Sequence, residues 1–199
     1  MAELIGIVAG KQAGKTTIAA YLHEKYGYTT TSIAEPLKLA LKDIFGFTDE
    51  QLYDSKKEVA DEFWQITPRY ALQFIGTELF RDGLSKYAPH IGADIWAMSA
   101  ERRIQQYLQN KDKVVVDDIR FPNEAEVIRK LGGILIRVTR PDVESAADSH
   151  LRSRRAFGEH ISEQLHAQIH ADYEIVNDKS LQHLFSEIDG IIARMRESH

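Results

Sequence analysis

Six consecutive apolar or small residues, Leu4–Ala9 (LIGIVA), run directly into Gly10, Gln12 and Gly14, the pattern of a strand buried on both faces that ends in a tight turn. Residues 16–25 then predict a helix, and the Thr- and aromatic-rich stretch 28–33 a second strand. From residue 35 to about 109 the spacing is mostly helical, with Leu37, Ala40, Leu41 and Ile44 three or four apart, and then Tyr70, Phe74 and Ile75. Residues 113–117 (KVVVD) predict a third strand whose β-branched centre ends in two carboxylates, Asp117 and Asp118. Pro122 and Asn123 open a short helix that stops at Gly132 and Gly133. Ile134–Thr139 predicts a fourth strand, residues 140–158 are polar and Arg-rich, and Tyr173–Val176 predicts a fifth. A last helix carries Leu181, Leu184, Phe185, Ile188, Ile191, Ile192 and Met195 on one face.

Strands that alternate with helices predict an α/β fold, here a five-stranded, mainly parallel sheet flanked by helices, within one domain over residues 1–199. The helical stretch of about 35–110 is an insertion between the second and third strands. Ligands bind such sheets at the carboxyl ends of the strands. Polar clusters fall at those ends: Gly10 to Thr16 after the first strand, Asp117 to Arg120 after the third and Arg140 after the fourth.

Composition narrows the chemistry. Without a cysteine there is no disulfide, thiolate nucleophile, Cys-ligated zinc or iron–sulfur cluster. Thirty acidic residues against 25 Lys and Arg leave a net charge of -5, which argues against a nucleic-acid coat but allows a local basic pocket. The start of the chain has neither a basic leader nor an apolar run long enough for a signal peptide or membrane span, so the expectation is a cytoplasmic protein with no membrane partner. His160, His166 and His170 lie close in sequence, but no HExxH pattern accompanies them and a solvent-facing role is the simpler account.

Residues 9–16 read Ala-Gly-Lys-Gln-Ala-Gly-Lys-Thr, a phosphate-binding loop with Ala9 in the first glycine position. Phosphate binding needs backbone N–H groups that converge on an anion, a Lys that reaches the terminal phosphates and a hydroxyl for Mg²⁺ at the start of a helix. Lys15 and Thr16 fill the last two places, and Gly10, Gln12, Ala13, Gly14 and Thr17 complete the loop. Lys11 suits phosphate contact and solvation equally. Asp117 or Asp118 could hold Mg²⁺, through water, or orient an acceptor. Asp118 and Arg120, two apart, can share one side of an extended segment.

Beyond the loop, the chain resembles the bacteriophage-type deoxynucleoside monophosphate kinases of the P-loop nucleoside monophosphate kinase superfamily. The resemblance is carried by AGKQAGKTT at 9–17, IAEPLKLAL at 33–41, TPRYALQFIGTELFRD at 67–82, DIW at 94–96, DDIRFPNEAE at 117–126, GGILIRVTRP at 132–141, HISE at 160–163 and IVNDKSLQHL at 175–184. Ala13 and Thr16 depart from it, since the family more often has Ser and Asp there; Thr is common in phosphate loops generally, so the metal role stands.

The resemblance implies a P-loop NTPase fold with a helical monophosphate-binding insertion and an Arg-rich lid at about 141–158. It also implies transfer of the γ-phosphoryl group of ATP, with Mg²⁺, to a deoxynucleoside 5′-monophosphate, in the cytoplasm of a host cell if the source is a phage. Lys15, Arg120 and Arg140 would be catalytic. Arg69, Gln73, Thr77, Asp94, Trp96, Asp118 and Arg120 would bind the acceptor, although Trp96 also suits plain core. Thr77, Glu78, Arg81 and Asp82 form a polar cluster that fits an ordinary helix surface equally well. Arg152, Arg154 and Arg155 are lid candidates or a solvated basic face. Asn177 would lie near the adenine, or else simply form a turn with Asp178. A P-loop kinase for another small acceptor, such as dephospho-coenzyme A or phosphomevalonate, and a nucleotide-binding module without transfer activity are the competing expectations. A homodimer is left open.

Overall fold

The computed structural model describes residues 4–10, 12–141 and 168–197. The chain divides into two compact units, an α/β unit of residues 1–32 and 100–199 and a helical unit of residues 33–99. The division falls within one helix, Ile95–Gln109.

In the α/β unit, β1 (Leu4–Ala9), β2 (Tyr28–Thr31), β3 (Lys113–Ile119), β4 (Ile134–Thr139) and β5 (Tyr173–Val176) form one sheet in the order β2-β3-β1-β4-β5. Every pairing is parallel. β1 is central and all six of its residues are buried, which explains its unbroken apolar run. Helices α1 (Lys15–Tyr26) and α8 (Leu181–Glu197) bring Ile18, Leu22, Leu184, Ile188, Ile191, Ile192 and Met195 into one core with Ile5, Ile7, Val115, Ile136 and Val138. α7 (Pro122–Lys130) packs on β1 and β4. Its Ile128 stands beside Gly6, where even a Cβ would come within 3.0 Å of that side chain.

Two strands differ from their predicted bounds. β2 stops at Thr31 rather than at 33, because Arg103 takes the Ser32 carbonyl and donates to the Thr31 hydroxyl at 3.1 Å. β3 continues two residues past 117, so Asp117 and Asp118 lie inside the strand and not beyond it. Its register with β1 jumps from Gly6↔Val116 to Val8↔Ile119, placing one extra β3 residue opposite Ile7. Such a bulge re-aims the side chains it carries.

The helical unit contains α2 (Glu35–Phe45), α3 (Asp49–Tyr53), a 3₁₀ turn at Ser55–Glu58, α4 (Pro68–Gln73), a π-helix at Phe74–Gly83, α5 (Leu84–Tyr87), a 3₁₀ turn at Gly92–Asp94 and the start of α6 (Ile95–Gln109). Leu37, Leu41, Phe47, Leu52 and Ala71 form its core, packed by Phe45, Ile66, Leu72, Ile75 and Trp96. The periodicity of 74–83 suggests an ordinary helix; the chain instead takes the wider π turn. There the Gly76 carbonyl accepts the Trp96 indole N–H at 2.8 Å, and Gly76 lies so close to Leu37 that a Cβ would come within 2.7 Å of it.

Candidate functional site

The loop between β1 and α1 is built to leave a helix N-terminus open. Gln12 and Gly14 both take positive φ, 61° and 104°, which breaks the regular backbone pattern just before α1. Gly14 is the N-cap of this 12-residue helix, no side chain caps it and no acidic residue stands in its first turn. Its first N–H groups and the helix dipole therefore favour an anion. Gly10, Gly14 and Lys15 are half-buried, Gln12, Thr16 and Thr17 are exposed, and Ala13 is buried.

Register places the other basic residues beside that loop. Val8 pairs with Ile119 and Ala9 with Val138, so Gly10, Arg120 and Arg140 all leave the same edge of three neighbouring strands, about 4.8 Å apart from one strand to the next. Arg120 and Arg140 are exposed, while Asp117 and Asp118 on the bulge are half-buried. The α/β unit thus brings Lys15, Asp117, Asp118, Arg120 and Arg140 to the carboxyl edge of its sheet.

Asn177 lies one residue beyond β5, and its side-chain amide donates to the Ala13 carbonyl at 3.0 Å. This bond ties Asn177, which the family resemblance puts near the adenine, to the loop between β1 and α1. Glu124 is a residue that sequence reasoning missed. It is 3% exposed, and one of its carboxylate oxygens accepts the backbone N–H groups of Arg120 at 2.9 Å and Phe121 at 3.1 Å. Its signal was present, an acid at the third position of a helix opened by Pro122.

The remaining acceptor candidates belong to the helical unit. Arg69 and Gln73 stand on α4, and the Arg69 Nε–H donates to Glu58 at 2.8 Å. Thr77, Glu78, Arg81 and Asp82 share the π-helix, a rare geometry that occurs frequently at functional sites. Asp94 closes a 3₁₀ turn and is exposed. Trp96 packs tilted against Phe80, with ring centroids 5.4 Å apart, and its indole is anchored to Gly76. Lys11, the lid residues Arg152, Arg154 and Arg155, and His160 and His166 lie outside the described residues.

Among the described residues no three His, Asp or Glu side chains gather into a metal-holding group. The donor set still fits Mg²⁺, which takes one or two carboxylates, a hydroxyl, water and substrate phosphates in preference to a protein cage. Thr16 at the start of α1 and Asp117 or Asp118 on the bulge are donors of that kind.

A family model described as deoxynucleotide monophosphate kinase matches residues 49–188. The chain is 36% identical over 195 residues to an Acanthamoeba polyphaga mimivirus protein named as a deoxynucleotide monophosphate kinase, a match that covers 93% of each chain. Over 81 residues, 41% of this chain and 29% of the relative, it is 35% identical to the deoxynucleoside-5′-monophosphate kinase of Escherichia phage T5. Among solved structures it is similar to TT1252 from Thermus thermophilus, with a TM-score of 0.51, 18% identity and 96% of each chain covered, a likeness of fold alone. The parallel β2-β3-β1-β4-β5 sheet, with the phosphate loop after its central strand, is the P-loop NTPase fold.

Proposed function

This chain belongs to the deoxynucleotide monophosphate kinase family, and from that premise we propose how its residues carry out the transfer. It is an enzyme, a kinase of nucleotide metabolism that moves the γ-phosphoryl group of ATP to the 5′-phosphate of a deoxynucleoside monophosphate. Nothing in the family match favours another small acceptor or a module without transfer activity. No helix among the described residues is long and apolar enough to cross a membrane. Small nucleotide substrates suit action in the cytoplasm, of a host cell if the chain shares the viral origin of its relatives.

Phosphoryl transfer requires two anions held in line while positive groups neutralise developing charge. In this reading the open N-terminus of α1 and Lys15 hold the ATP phosphates, and Arg120 and Arg140 neutralise charge at the transferred group. Arginine suits that place because its planar fork grips phosphate at two points. Within the helical unit Arg69, Gln73, Thr77, Asp94 and Trp96 are the acceptor candidates, and within the α/β unit Asp118 and Arg120 are. Thr16 and Asp117 or Asp118 would hold Mg²⁺, which when bound screens the phosphate charges. The attacking phosphate oxygen is already ionised at neutral pH, so no side chain has to act as a general base.

The observation that carries this assignment is the uncapped, acid-free N-terminus of α1 at the end of the central strand, in a chain of this family. Its test is a coupled ADP-release assay with a panel of deoxynucleoside monophosphates. At least one should stimulate ADP formation well above ATP alone; a flat response across the panel would sink the assignment.

A further inference from the structure

We propose that Asn177 is a positioning residue of the phosphate loop, which aims the Gly14 N–H at the bound phosphate by holding the Ala13 carbonyl. The proposal rests on reading residues 9–16 as the ATP phosphate loop.

Asn177 is mounted on the sheet. Its backbone N–H donates to the Thr139 carbonyl at 2.8 Å, extending the β4-β5 ladder one step past the Thr139↔Val176 pair. From this support its side-chain Nδ2 spans 164 residues of sequence to donate to the Ala13 carbonyl at 3.0 Å. The peptide joining Ala13 to Gly14 is planar and trans, so its C=O and N–H point in opposite directions. Drawing the carbonyl toward Asn177 therefore turns the Gly14 N–H the other way. That N–H is the last before α1 begins, next to the uncapped first turn.

The loop itself does little to hold this peptide. Gln12 and Gly14 on either side of Ala13 are both in the left-handed region, and the first backbone bond of α1 is to the carbonyl of Gly14, made by the Ile18 N–H at 3.0 Å. The Ala13 carbonyl precedes that ladder, and the Asn177 amide supplies its donor. The approach is tight: a Cβ on Gly14 would stand 2.6 Å from Nδ2. Glycine at 14 thus serves both the positive φ and the access of Asn177. A donor is essential at 177, because a carboxylate there would set oxygen against oxygen.

The inference parts from an adenine contact in what it predicts for a ligand without a base. Calorimetric titrations of the whole protein with inorganic tripolyphosphate and with ATP, both with Mg²⁺, compare wild type with Asn177→Asp and Asn177→Ala. Both variants should weaken the two ligands by the same factor, about tenfold for Asn177→Asp, corresponding to the loss of about one charge-assisted hydrogen bond. The KM for the monophosphate should stay near wild type, and the melting temperature should fall by about a few degrees, the scale of one lost part-buried hydrogen bond. Weaker ATP with unchanged tripolyphosphate would make Asn177 a base contact and overturn the proposal; unchanged binding of both would do the same. If Asn177→Asp fails to fold, Asn177→Ala carries the comparison. Tripolyphosphate binding that survives Lys15→Ala would instead overturn the loop assignment on which the proposal stands.

Discussion

Glu124 holds Arg120 by its backbone: the buried carboxylate accepts the Arg120 N–H at 2.9 Å and, through the same oxygen, the Phe121 N–H at 3.1 Å. The side chain proposed to meet the transferred phosphate is thus carried on a turn fixed by an acid on the following helix. Glu124→Ala leaves those two donors without their acceptor and should lower stability by about 1–3 kcal/mol. It should also reduce kcat in the protein that remains folded. Chemical denaturation beside single-turnover kinetics checks both parts. Loss of stability with an unchanged kcat would separate the turn from catalysis.

Lys15 is the most direct test of the phosphate loop. Removing its charge with Lys15→Ala should lower kcat by at least about 10²-fold, the scale seen when one preorganised electrostatic group is lost from a transition state. The fold should survive the change, because Lys15 is half-buried at the start of α1 and lies outside the apolar core. Wild-type turnover in this variant would reduce the loop to an ordinary turn.

Arg69 makes a different prediction. Its Nε–H is engaged by Glu58 at 2.8 Å, using one of the five guanidinium donors and setting the orientation of the rest. Arg69→Ala should raise the KM for the monophosphate about 10-fold or more, the worth of a hydrogen bond to a charged group, and leave the KM for ATP unchanged. Initial-rate kinetics with each substrate varied in turn would detect this. An effect confined to ATP would move Arg69 to the donor side.

A pH effect on stability is expected where α1 meets α8. Asp189 accepts the hydroxyls of Tyr21 at 2.8 Å and Tyr26 at 2.6 Å and the Lys25 ammonium at 2.8 Å, while Phe185 stacks on Tyr21 with centroids 3.9 Å apart. Burial works to raise the Asp189 carboxyl, but hydrogen bonds from Lys25, Tyr26 and Tyr21 outweigh it and hold it below its ordinary value. A carboxyl depressed in the folded state stabilises fully above its unfolded pKa of about 3.9, and this contribution is lost as the pH falls through the folded value. Melting curves of wild type and Asp189→Asn from pH 7 down into the acid range should keep a constant gap above the unfolded carboxylate pKa of about 3.9 and show a gap that narrows progressively below it. A gap that does not narrow at all as the pH falls would assign the effect to packing.

Those elements whose signal is local were legible in the chain. β1, β4 and β5 have the expected bounds because an unbroken apolar run, or a β-branched run bounded by turn residues, is a short-range pattern. The turn from β1 into α1 was equally plain, since Gly10, Gly14, Lys15 and Thr16 fall within one short stretch of chain. The acceptor candidates on α4 and the π-helix came from resemblance, and periodicity alone would have left them as polar positions on a helix surface.

What only the tertiary structure decided involves partners far apart in sequence. The early end of β2 depends on Arg103, 72 residues from Thr31. The bulge that carries Asp117 and Asp118 exists only as a register between β3 and β1. Trp96 is tied to a carbonyl 20 residues away, and Asn177 to one 164 residues away. A hydrogen bond between side chain and backbone leaves no mark in the identity of the residue that accepts it, because every residue offers the same carbonyl. The sequence by itself therefore determined the order of the strands along the chain and the chemistry of the loop. The folded chain decided which way that loop's peptides point.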